Sequence, residues 1–154
     1  MAELTVLDDA LAVIRARPQM YVGDGDRSLE IAQALISDAL VLGASHVSCD
    51  RRLGWFLVAA DLDWLTASCR FPQPIAELFR RIVPFPESGV NAMRSEVLVS
   101  AFASSALTVT PDDQFAICGG SPPSEVLSLL REPMVRRAIA FTLDSPSVPV
   151  TGAG

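Results

Sequence analysis

The chain has 154 residues, half of them hydrophobic and 19% charged, with a mean hydropathy of +0.36. One domain of that length has ample apolar material for a core, which excludes disorder, a collagen-like chain and a coiled coil as the organising principle. Acids outnumber bases 18 to 12, leaving a net charge of −6, and every base is an arginine; phosphate-backbone contacts need clustered positive charge, so direct nucleic-acid binding is not expected.

Residues 7–17 place Leu7, Leu11 and Ile14 at i, i+4 and i+7, the spacing of one helix face, and Pro18 is expected to stop that helix. Residues 19–26 read as a loop with Gly23 and Gly25. The clearest helix spans 28–42: Leu29, Ala32, Leu35, Ile36, Ala39 and Leu40 form an apolar stripe, Asp26 or Ser28 supplies a cap, and Gly43 ends it. Segments 45–50 and 55–60 predict a hairpin around a turn at 51–54, and 107–110 with 114–118 predict a second around Pro111-Asp112-Asp113. Between the hairpins, 61–74 is irregular, 75–82 is a short helix ahead of Pro84-Phe85-Pro86, and 92–105 has helical spacing. A helix over 122–130, capped by Ser121, and a strand over 138–143 follow. The Pro-, Ser- and Gly-rich residues 145–154 are expected to form a flexible tail, leaving 1–144 as one α+β domain with a sheet covered by helices on one face.

Cys49, Cys69 and Cys118 are odd in number, widely spaced and without a CxxC pair, so they read as small buried hydrophobes in a reducing compartment and not as a zinc or redox site. Acids at the start of the chain take the place of a basic leader, and no apolar run reaches the roughly 18 residues that span a bilayer, so a cytoplasmic protein without membrane contact is expected. His46 is the single histidine, with no cysteine or acid beside it in sequence, and reads as structural or exposed. Trp55 and Trp64 read as core or rim, and Arg51-Arg52, Arg80-Arg81 and Arg136-Arg137 as solvated faces or interface anchors.

The segment Ile14-Arg15-Ala16-Arg17-Pro18-Gln19-Met20-Tyr21-Val22-Gly23-Asp24 carries an R-P-x-M-Y-x-G-D frame. It resembles the segment near the start of the gyrase B type of ATPase domain, a branch of the GHKL group that also holds heat-shock chaperones, histidine kinases and MutL. The resemblance implies a Bergerat-type two-layer α/β sandwich with a mixed sheet. It assigns Arg17, Pro18, Met20, Tyr21 and Gly23 to the structural frame. It sets Glu30 at the position of the general base, Ala34 at that of the magnesium-binding Asn, and Asp61 at that of the Asp that binds the adenine amino group. Gly89, in Gly89-Val90-Asn91, stands in a remnant of the phosphate-binding lid.

Two of these residues keep an ordinary reading beside the family one: Glu30 as an acid near a helix N-terminus, Asp61 as the cap of a turn. Hydrolysis needs a metal, a base and donors for the developing charge. Ala34 has no oxygen to give a metal, and the lid has lost most of its glycines. The expected function is therefore a non-catalytic, pseudo-ATPase domain without a metal, acting through a protein partner or as a homodimer. A sensor binding an adenine nucleotide or other small molecule without magnesium, and a weak ATPase, are the alternatives.

Overall fold

The computed structural model describes residues 10–143. In chain order it holds α1 (Ala10–Ala16), α2 (Pro18–Val22), α3 (Arg27–Val41), β1 (Val47–Arg52), β2 (Trp55–Ala60), α4 (Ile75–Leu78), a 3-10 turn (Pro86–Ser88), α5 (Glu96–Phe102), β3 (Ser105–Val109), β4 (Gln114–Cys118), α6 (Ser124–Leu130) and β5 (Arg137–Thr142). The tail expected at 145–154 lies outside the described residues.

Pro18 does more than stop α1. It opens α2, within the stretch expected to be loop, because its fixed φ and missing N–H suit a first helical position. Asp26 caps α3, accepting from the Leu29 N–H at 3.3 Å. The hairpin β1–β2 turns on Leu53 and Gly54, both at positive φ, which matches the twist of the strands it joins.

The strands form one sheet in the order β1-β2-β5-β3-β4, and every pairing is antiparallel. The α+β class holds, but the mixed sheet expected from the resemblance does not. β5 enters between the two hairpins and runs against both neighbours. Coverage of a single face is also overturned. Phe56, Val58, Ala60, Ile139 and Phe141 pack against the helical layer, whose core residues include Ile14, Ile31, Leu35 and Val97. Trp55, Leu57, Leu107, Val109 and Ala140 pack instead on the opposite face with Val126 and Leu130 of α6. β2 and the central strand β5 are buried along their whole length, so each face needs a cover.

At the end of β4, Gly119 takes φ +66, and a Cβ there would collide with the Ser104 carbonyl and the Ser105 hydroxyl. Gly119→Ala is expected to lower stability by roughly 1–3 kcal/mol, read from thermal melting; an unchanged melt would show that this turn relaxes freely.

Candidate functional site

The residues singled out by the resemblance are spread along α3 and beyond it. Glu30 lies in the first turn of α3, under the loop of Gly23 and Gly25. A Cβ on Gly25 would stand 3.0 Å from Glu30 Oε2, so glycine there lets the loop lie on the carboxylate. No hydrogen bond or ion pair joins that carboxylate to another described residue. Ala34, one turn on, is half-buried and packs against the helix-side core. Gly89 is exposed at the end of the 3-10 turn, with open space where a Cβ would be. In the frame segment, Tyr21 packs against the core, Met20 is exposed, and Arg17 is exposed, its N–H donating to the Ile14 carbonyl at 3.2 Å and its carbonyl accepting from the Met20 N–H at 3.1 Å.

Asp61 sits beyond the other end of the helix. From Glu30 to Val41 runs about 16 Å of helix axis, so the structure does not bring Glu30 and Asp61 together. Asp61 Oδ1 accepts from the Ser45 and His46 N–H groups at 2.9 and 3.1 Å, and Oδ2 lies 3.3 Å from His46 Nδ1. The His46 N–H, with the Ser45 N–H and the imidazole behind it, holds the Asp61 carboxyl below the usual carboxylate range, against the opposing effect of desolvation. Asp61 thus pins the turn from α3 into β1. His46 is almost wholly exposed, as expected, yet it does have an acid partner, 15 residues away in sequence.

A groove of about 610 Å³ lies beside Asp61, walled by Ile36 and Leu40 of α3, Val47 of β1, Ala60 of β2, and Met134 and Val135 ahead of β5. Its wall is mostly apolar, with Ser45, His46, Ser48 and Asp61 as the polar groups.

The densest chemistry is a buried network that local sequence does not announce. Arg94 Nε and Nη2 donate to the Glu96 carboxylate at 3.1 Å each, and Trp64 Nε1–H donates to Glu96 Oε2 at 2.9 Å. Asp38 Oδ2 accepts from the Ser95 N–H at 2.7 Å and stands 3.9 Å from Arg94 Nε. Asp38, Arg94, Glu96 and Trp64 are all buried. Burial, and next the Glu96 charge, push Asp38 up to about 7, against the opposing pull of the Ser95 N–H and Arg94. The signal available in the sequence was Arg94-Ser95-Glu96 at the head of an apolar helix; Asp38 and Trp64 join it only through the fold.

A second ion pair corrects the solvated reading of Arg137. That side chain is buried, donates to both Asp63 oxygens at 2.8 and 3.0 Å, and reaches Thr108 Oγ1 at 3.1 Å. Burial alone would raise Asp63, but the Arg137 guanidinium overrides it and holds the carboxyl low. The cysteines are corrected in part: all three are free, but Cys49 is exposed on β1 and the other two are half-buried.

The donor set does not fit a magnesium triphosphate. Ala34 offers no side-chain oxygen, and Gly89 has open space where a Cβ would stand. No family model, no curated protein and no solved structure matches the chain. Among the described residues no helix is long and apolar enough to cross a membrane.

Proposed function

We propose that the chain is a GHKL-like domain that does not turn over ATP and acts through protein–protein contact, with itself or with a gyrase-type partner. The R-P-x-M-Y-x-G-D frame and the succession of long helix, hairpin, helix, hairpin, helix and strand support the relationship. One observation carries the loss of catalysis. The Trp64 indole is buried in the helix-side core and hydrogen-bonded to Glu96, which also holds Arg94, while Ala34 packs against that core and Gly89 has open space where a Cβ would stand. Steady-state phosphate release with magnesium and ATP is expected to stay at background, with Glu30→Ala indistinguishable from wild type. Magnesium-dependent turnover abolished by Glu30→Ala would overturn the reading.

The groove beside Asp61 favours a second reading, a sensor for an adenine or similar flat ring. Asp61 Oδ2 keeps a lone pair beyond its contact with His46, at the rim of a largely apolar cavity. A rise in melting temperature with adenosine, ADP or ATP that Asp61→Asn removes would support it; no shift at millimolar ligand excludes it.

A further inference from the structure

We infer that the groove beside Asp61 selects an organic cation, an apolar ring or chain that carries an ammonium or amidinium head. The inference deepens the sensor reading and rests on it.

The walls set the body of the ligand. Ile36, Leu40, Val47, Ala60, Met134 and Val135 line a volume of about 610 Å³, the size class of a small-molecule site. Leu40 is 50% exposed and Met134 76%, so a ligand seated there takes apolar surface of both out of water. The polar groups set its head. A carboxylate can only accept, so in the neutral imidazole the hydrogen lies on Nδ1, facing Asp61 Oδ2, and His46 Nε2 is left as a second acceptor. The Ser45 and Ser48 hydroxyls can accept as well.

Charge points the same way. Among the described residues no arginine lines this groove, and Asp61 is its one carboxylate. A neighbouring groove of about 210 Å³ shares Ser48, Ala59 and Val135 with it and adds Asp50 and Glu132, again without an arginine. Arg52 stands 3.7 Å from Asp50 and offsets that carboxylate alone. A third groove, which also includes Asp61, sets Arg136 and Arg137 against Asp61, Asp63, Asp112 and Asp113. Each of the three is net negative, so a cation is drawn in and a carboxylate or phosphate is opposed. Asp61 stays ionised at neutral pH because the His46 and Ser45 N–H groups hold it low.

Calorimetric titration of the full chain with tryptamine, tryptophol and indole-3-acetate tests this. The three probes share an indole and differ in an ammonium, a hydroxyl and a carboxylate. Tryptamine is expected to bind roughly three- to tenfold tighter than tryptophol, and indole-3-acetate more weakly than either. The preference should shrink in about 1 M salt, where the screening length falls to about 3 Å. Asp61→Asn should bring tryptamine down to the level of tryptophol and leave tryptophol unchanged. Its amide oxygen can still accept the Ser45 and His46 N–H groups, so the turn holds. Ser48→Trp, at an exposed position of β1, fills the part that the two grooves share and should abolish binding of all three probes while melting stays that of wild type. Tryptophol binding as tightly as tryptamine, or a preference that survives Asp61→Asn, overturns cation selection and leaves the sensor reading standing. Binding unchanged in Ser48→Trp overturns this groove as the site. No binding of any probe at millimolar concentration overturns the inference and the sensor reading together.

Discussion

Glu96→Gln is expected to destabilise the fold by about 3–5 kcal/mol, the cost of stranding one member of a buried ion pair. Glu96 is fully buried, and its two oxygens receive Arg94 Nε, Arg94 Nη2 and Trp64 Nε1–H. Glutamine keeps the shape and one acceptor oxygen but removes the charge that balances the guanidinium. It also turns an N–H₂ group toward one of those donors. Asp38, 3.9 Å from Arg94, compensates poorly, because ionising it costs desolvation. Urea denaturation with an unchanged m-value would isolate the effect as one on stability. A loss below about 1 kcal/mol would place this network with exposed ion pairs in energetic terms. Replacing Arg94 and Glu96 together by apolar residues of similar volume should cost less than either single change, since the guanidinium and its carboxylate leave together, although the Trp64 N–H loses its acceptor and Asp38 its nearby cation.

Stability should fall as pH rises from about 4 to about 7, and Asp38 is the cause. The ordinary carboxyl value is 3.8, whereas burial beside Glu96 raises Asp38 to about 7 in the folded chain. Between those values the folded state holds a proton that the unfolded state has released. Each pH unit then removes stability, at a rate of order 1 kcal/mol. Above about 7 the group is ionised in both states and the slope ends. Asp63 acts in the opposite sense. Its lowered value contributes stability that is present at neutral pH and lost as pH falls through the folded value, so the optimum lies in mild acid. Asp38→Asn should flatten the neutral limb and leave the protein more stable than wild type at about pH 8. The amide oxygen can still accept the Ser95 N–H, and no charge then needs desolvation. An undiminished slope in Asp38→Asn would move its origin to another group.

Much of the secondary structure was legible because it is locally encoded. The apolar stripe of residues 28–42 with Asp26 ahead of it gave α3 within a residue at each end, and strand β4 fell where the turn residues Pro111, Asp112 and Asp113 placed it. The six-residue apolar run of β2 and the four apolar residues 138–141 of β5 already carried a sign that the sheet is covered on both faces, since a half-exposed strand alternates. α2 was missed because a proline reads as a stop and as a first helical position alike.

For the site, the sequence marked Glu30 and Asp61 by motif position, and the helix length between them decided that they stand apart. The network of Asp38, Trp64, Arg94 and Glu96 was invisible at its spacings of 26, 30 and 2 residues. Helix and turn formation answer to neighbours within about four residues, through hydrogen-bond period and side-chain spacing. Strand partners, the insertion of β5 between two hairpins, and the pairing of buried charges answer to a condition met only in the collapsed chain: a polar group taken from water must find its counterpart wherever the chain delivers one.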